Sequence, residues 1–168
     1  FRLPKALTAT LAGAALGVSG LQMQTLFKNP LAGPFILGIS SGASLGVALL
    51  VLAANTTGIG ALLTNLGIIG DLSLAIAASL GAALMLGIVL LISRSVTDSM
   101  TLLILGLLFG YATNAIISIL LHFSDNNQIQ SYLQWTFGSF GGVTWRQMVI
   151  LAPVILLGLI IALLLSTP

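Results

Sequence analysis

The sequence predicts an all-α protein: a polytopic transmembrane helix bundle with about five spans. Three observations carry that expectation. Charged residues make up 5% of the 168-residue chain and mean hydropathy is +1.17, whereas an ordinary soluble domain carries about 25% charged residues. The few charges separate apolar stretches, most of them close to the roughly 20 residues that cross a bilayer at 1.5 Å per residue. Nineteen glycines are present, many at helical spacing inside those stretches. The first observation excludes a water-soluble surface, and it excludes disorder too, which needs low hydrophobicity and high net charge.

The first span covers about 4–27, uncharged from Ala6 to Phe27 between Lys5 and Lys28. It must stop at Asn29-Pro30, because Pro30 lacks an amide and disfavours helix at the residue before it. Asn29 can cap exposed backbone groups in the turn. Pro34 can open the next helix, where a missing N–H costs little. The second span covers about 34–54. A connection through Asn55-Thr56-Thr57-Gly58 follows, with a short interfacial helix, or the start of the next span, expected within 61–69. Spans at about 71–93, 99–122 and 146–166 complete the set. The segment 123–145 is the one extended polar stretch, and it holds both tryptophans, Trp135 and Trp145, with Tyr132, Phe137 and Phe140. Such aromatics favour the membrane–water boundary, so a short helix along the interface is expected from about Ile129 to Phe137, ended by Gly138. All of 1–168 reads as a single transmembrane domain. The chain begins at Phe1 rather than Met and stops at Pro168 after an apolar run, so it is expected to be a piece of a longer protein. No single short apolar region precedes a polar remainder, which argues against a secretory signal. Alternating spans put Arg2, Lys5 and Arg146 on one side and Lys28 and Arg94 on the other. That bias does not fix orientation by the positive-inside rule.

Glycine costs about 1 kcal/mol relative to Ala in a soluble helix, but in lipid small residues four apart let two helix backbones approach closely. Gly13 and Gly17 have that spacing, as do Gly38, Gly42 and Gly46, and Gly106 with Gly110. In the fourth span Gly106, Gly110, Asn114 and Ser118 recur every four residues toward His122. Polar groups within a membrane face the bundle interior or a wet cavity, so this line is either an interhelical hydrogen-bonding seam or the lining of a pathway.

Little in the composition supports covalent chemistry. There is no Cys, no Glu and a single His, which removes thiol nucleophiles, thiolate metal sites and most acid/base pairs; no metal site and no cofactor are expected. Gly17-Val18-Ser19-Gly20 matches the nucleophile motif of intramembrane rhomboid proteases, and Gly38-Ile39-Ser40-Ser41-Gly42 fits the serine elbow. An activated serine needs a base within about 3 Å. His122, at the far end of the fourth span, is out of reach of either serine in this topology. Asp71 and Asp125 read as solvated caps. No phosphate-binding Gly-Lys-Ser/Thr loop occurs, so any ATP hydrolysis belongs to another chain. No run of cations suits a nucleic acid. A channel or secondary transporter would place a charged or ion-coupling residue inside a span; no Asp, Lys or Arg lies within a span away from its ends, which counts against that alternative.

One set of residues is more specific. Arg2-Leu3-Pro4-Lys5 heads the first span, with Met23-Gln24 and Leu26-Phe27 near its end; Asn29-Pro30-Leu31-Ala32, Pro34, Leu37-Gly38 and Ser40-Ser41-Gly42-Ala43 follow. With Phe140-Gly141-Gly142-Val143 and Thr144-Trp145-Arg146-Gln147, the chain closely resembles the permease family of ABC importers for vitamin B12, ferric siderophores and haem. The resemblance implies a ten-span permease of the bacterial inner membrane, of which this chain holds spans two to six. It implies a homodimer around a central pathway, a separate ATPase and an external substrate-binding protein. It places Arg2 and Lys5 where family members meet acidic residues of the binding protein, and it makes Gly110, Asn114, Ser118 and His122 candidates for the pathway. It places Asp98-Ser99-Met100-Thr101 at the cytoplasmic gate, Met100 standing where a small polar residue is expected. Gly33 replaces an acidic residue common in the family. The coupling helices that grip the ATPase would follow the last span.

Overall fold

In the computed structural model, residues 2–53, 71–96 and 98–166 are described. The expected connection at 55–58 and the interfacial helix within 61–69 lie outside them. Six helices form among the described residues: α1 (Leu3–Phe27), α2 (Ile39–Ala53), α3 (Asp71–Ser93), α4 (Ser99–His122), α5 (Asn126–Phe137) and α6 (Trp145–Ser166). Four of them, α1, α3, α4 and α6, are long and apolar enough to cross a membrane. The second expected span is represented by α2, which is apolar but only 15 residues long, about 22 Å at helical rise. Large side chains stay exposed along these helices, among them Leu80, Leu91, Val154 and Leu164. Water would penalise that surface, and a bilayer solvates it.

The described contacts cluster into two compact units, Phe1–Pro34 with Gly138–Pro168, and Phe35–Phe137. In the first, α1 packs on α6. The end of α1 is built from hydrogen bonds. Lys28 takes a left-handed conformation (φ 48°), its amide bonds the Thr25 carbonyl at 3.3 Å and the Asn29 amide bonds the Gln24 carbonyl at 3.1 Å. These two bonds are the Schellman pattern, usually closed by Gly. A β-turn follows with Pro30 in its preferred second place: the Ala32 amide bonds the Asn29 carbonyl at 3.0 Å and the Asn29 side chain accepts from the Leu31 amide at 2.9 Å. Gln24 Nε2 reaches the Pro30 carbonyl at 2.9 Å. The chain doubles back far enough that Pro34 Cδ lies 3.9 Å from where a Cβ on Gly20 would stand.

At the start of α6, the Gln147 side chain accepts from the Thr144 amide at 2.9 Å, and Thr144 Oγ1 accepts from the Gln147 amide at 3.5 Å. This is a reciprocal cap. Pro153 sits inside α6, so the helix lacks the bond from residue 153 to the Val149 carbonyl.

In the second unit α2 is central and packs on α3, α4 and α5. Val47, Ala48 and Leu52 of α2, Ile117 of α4 and Tyr132 of α5 form the buried cluster, with Leu74 and Ala78 of α3 against it. The expected helix start at Pro34 is corrected: α2 begins at Ile39, because Gly38 is left-handed (φ 71°) and interrupts helical backbone before it. Likewise α5 begins at Asn126, three residues before the expected Ile129, because the Asp125 carbonyl already accepts from the Ile129 amide at 3.0 Å.

The tightest packing joins α2 to α3. A Cβ on Gly42 would stand 2.6 Å from the Gly81 carbonyl oxygen and from Met85 Cβ, and one on Gly46 would meet the Ala77 carbonyl oxygen. A Cβ on Gly81 would in turn overlap the Gly42 carbonyl oxygen, whereas Gly87 on the same helix has nothing within 4 Å. Forcing a methyl group into a packed contact costs about 1–3 kcal/mol. Gly81→Ala is therefore expected to lower thermal stability in detergent by that amount, and Gly87→Ala to leave it unchanged. Equal melting temperatures for the two variants would contradict the close approach.

Candidate functional site

Nothing among the described residues has the shape of a reaction centre, so the candidate site is a set of surfaces. The N-terminal end of α1 carries Arg2, exposed at the N-cap, and Lys5, half-buried in the first turn. A helix N-terminus already bears a partial positive charge from its aligned peptide dipoles. Two cations there sum with it instead of offsetting it, concentrating positive potential at one end of a membrane-length helix. An anionic partner suits that end.

The turn Asp98-Ser99-Met100-Thr101 is the N-cap and first turn of α4. Asp98 is extended (φ −102°, ψ 126°), and one carboxylate oxygen accepts from the Thr101 amide at 3.1 Å and from Thr101 Oγ1 at 3.1 Å. These bonds, the backbone one first, hold the Asp98 carboxyl below its ordinary value of 3.8. Ser99, Met100 and Thr101 are exposed. The candidate gate is thus anchored at its base by a helix cap.

Along α4 the expected single stripe divides. Gly106 and Gly110 are buried, but Asn114, Ser118 and His122 are exposed. The buried line runs Gly106, Gly110, Thr113, Ile117. The reason is geometric: at 100° per residue, each four-residue step overshoots a full turn by about 40°, so a strict four-residue repeat winds off the packed face. The exposed polar residues instead share a face with Tyr111, 71% exposed. The Ser118 hydroxyl bonds the Asn114 carbonyl at 3.0 Å, and the His122 ring meets Phe123 edge-on at 5.2 Å. A shallow hollow of about 140 Å³ lies where Phe35, Ile36, Gly38 and Ser41 approach Gly106, Leu107, Gly110, Tyr111 and Asn114. It joins Gly110 and Asn114 but not Ser118 or His122.

The remaining candidates fall as follows. Asn29, Pro30 and Pro34 form the turn after α1. Gly38, Gly42 and Gly46 all make close backbone contacts; Gly13 and Gly17 have nothing within 4 Å. The Ser19 hydroxyl bonds its own helix, at the Leu16 carbonyl, 3.0 Å away. Two further features carry sequence signals of their own: Ala77 and Gly81, whose four-residue spacing marks a packing face, and Thr144-Trp145-Arg146-Gln147, which holds the reciprocal cap.

Membrane-length helices, a buried glycine seam and an exposed polar helix face define a polytopic membrane helix bundle. The chain belongs to the FecCD transport family, which it matches over residues 1–168. It is 37% identical over 158 residues to the vitamin B12 import system permease protein BtuC of Escherichia coli O6:H1, covering 92% of this chain and 45% of that protein. The namesake permease of Shigella boydii serotype 18 gives the same identity and coverage. A solved structure of an ABC transporter assigned to the metal-chelate type, in an inward-facing conformation, superposes with a TM-score of 0.82 at 29% identity; the match covers 99% of this chain and 49% of that one. The chain thus spans about half the length of these relatives.

The Asp98 cap gives a pH signature. A carboxyl whose folded pKa lies below its unfolded one contributes fully above the unfolded value and loses that contribution as pH falls through the folded one. Protection of the Thr101 amide against hydrogen exchange, corrected for intrinsic rate, should be flat from about pH 8 to 5 and decline below 3.8. In Asp98→Asn, which still caps, the decline should vanish; in Asp98→Ala, protection should be low throughout.

Proposed function

We propose that this chain is part of the transmembrane permease subunit of an ATP-binding cassette importer. The observation that carries the reading is the likeness to the metal-chelate type transporter over 99% of the chain, together with the family match. The cargo is of the class shared by such importers: cobalamin, a ferric siderophore or haem. The subunit works in the bacterial inner membrane as a homodimer. An external binding protein delivers cargo to the end of α1 marked by Arg2 and Lys5, and a separate ATPase drives alternating access. This subunit performs no covalent step.

Each element then has a task that its physics suits. Positive potential at Arg2 and Lys5 steers an acidic binding protein; such charges set orientation and on-rate more than affinity. The α4 face carrying Asn114, Ser118 and His122 lines the pathway with Gly110, since polar side chains exposed on a membrane helix belong beside water. The first turn of α4 from Asp98 to Thr101 forms the cytoplasmic gate, rigid at its capped base and exposed at Met100. The glycines of α2 and α3 keep the wall around that pathway thin and closely packed, and Asn29, Pro30 and Pro34 set the turn between α1 and α2. Gly13 and Gly17 on α1 are free to receive a further helix.

The test is uptake by proteoliposomes holding the full-length permease, its ATPase and its binding protein, with radiolabelled vitamin B12, a ferric siderophore and haem supplied separately. ATP-dependent accumulation of any one supports the reading, and accumulation of none defeats it. Arg2→Glu/Lys5→Glu should weaken docking of the binding protein roughly tenfold at low salt, with the difference shrinking as ionic strength rises. Docking unchanged at low salt would remove both residues from the site.

A further inference from the structure

The chain breaks its helical backbone beside the middle of a membrane-length helix. Residues 35–38 form a turn closed by the Gly38 amide on the Phe35 carbonyl at 3.1 Å, and α2 takes up helical bonding only with the Gly42 amide on the Gly38 carbonyl at 2.9 Å. This turn lies against α4. A Cβ on Gly106 would stand 2.9 Å from Leu37 Cα, and one on Gly38 would stand 3.3 Å from the Gly110 nitrogen. Gly106 and Gly110 are about 10 and 16 Å along α4 from Ser99 at 1.5 Å per residue. The whole helix has 24 residues, about 36 Å, against a hydrocarbon layer of about 30 Å. The turn therefore sits well inside that layer. Non-helical backbone is tolerated there only where protein buries it or where it lines a cavity holding water.

The backbone of Leu37 and Gly38 is covered, both residues being buried. Just beyond them the hollow of about 140 Å³ opens, with Ser41 on one side and Gly110, Tyr111 and Asn114 on the other. Polar groups without partners converge on it. The amides of Ile39, Ser40 and Ser41 precede the first intrahelical bond of α2. Neither Ser41 Oγ nor the Asn114 carboxamide meets a protein hydrogen-bonding group among the described residues. Hydrocarbon would leave all of them unsatisfied, at a cost that water removes. The hollow is smaller than the roughly 300–1,000 Å³ of pockets that hold small molecules, so a metal chelate does not fit. It has room for a few waters, each taking about 30 Å³ in the liquid. From it the exposed residues Asn114, Ser118 and His122 continue to the end of α4, a polar track by which water reaches that depth.

We propose that the hollow is a water site within the membrane, where a few waters bond the first amides of α2, Ser41 Oγ and the Asn114 carboxamide. This hydration lets α2 begin part-way through the bilayer instead of at its surface, and it accounts for a helix of only 15 residues. The site rests on α4 crossing the membrane and not on the transport of any cargo, so failure of the permease reading leaves it intact.

Thiol chemistry in the full-length protein tests it, because a charged methanethiosulfonate reagent needs a hydrated, ionised thiol. The 168-residue sequence has no cysteine of its own. In an otherwise cysteine-free protein held in proteoliposomes, Ser41→Cys should react at least tenfold faster than Ile116→Cys. Position 116, two residues from Asn114, lies at similar depth on the far side of α4. Equal rates at the two positions overturn the water site, and mean that lipid or a further protein segment covers the hollow. Where Ser41→Cys fails to fold, hydrogen exchange in the unmodified full-length protein decides. The Ser40 and Ser41 amides should exchange at least a hundredfold faster than the amide of Val47, buried further along the same helix. Exchange as slow as that of Val47 overturns the site.

Discussion

Helices in lipid gain nothing by hiding apolar side chains from one another, because the surrounding acyl chains are equally apolar. What holds such a bundle is close contact between atoms. In this chain that contact is concentrated where α2 meets α3, with Gly42 and Gly46 laid on Ala77 and Gly81 at backbone distance. The central place of α2 follows from it. Once α2 is fixed on α3, its opposite flank is available to α4 and α5, and the buried cluster of Val47, Ala48, Leu52, Ile117 and Tyr132 can close. The exposed leucines and isoleucines on the outer faces contribute solubility in lipid and little to cohesion.

Much of the architecture was legible because charge is so scarce. Five cations and three aspartates act as punctuation, and the helix ends fall close to them: Phe27 before Lys28, Ser93 before Arg94, Ser99 after Asp98. The turn at Asn29-Pro30 was legible for a different reason, since an imino acid leaves the chain few alternatives. Residues whose roles depend on three-dimensional approach were harder to read. The spacing of Gly38 with Gly42 and Gly46 suggests one helical packing series, yet the left-handed backbone at Gly38 ends the turn that delays α2. The four-residue repeat on α4 suggests one face, yet accumulated rotation carries Asn114, Ser118 and His122 away from Gly106 and Gly110.

The polar residues of α4 matter because the helix otherwise offers a bilayer nothing but hydrocarbon. The Ser118 hydroxyl is satisfied by its own helix, while the Asn114 amide lies on the exposed side next to the hollow. An amide there is tolerable where water or another protein surface covers it. The Asp98 cap serves the same helix from below, by fixing where its first turn begins.

The end of α1 has a consequence of its own. The left-handed residue that closes a helix is usually glycine, the side chain that strains least there, but here it is Lys28. The strain of order 1 kcal/mol is accepted in return for an ammonium group at the negative end of the helix dipole, on a stem long enough to reach headgroup phosphates. A cation at that point favours seating the end of α1 where lipid meets water, and disfavours drawing it deeper.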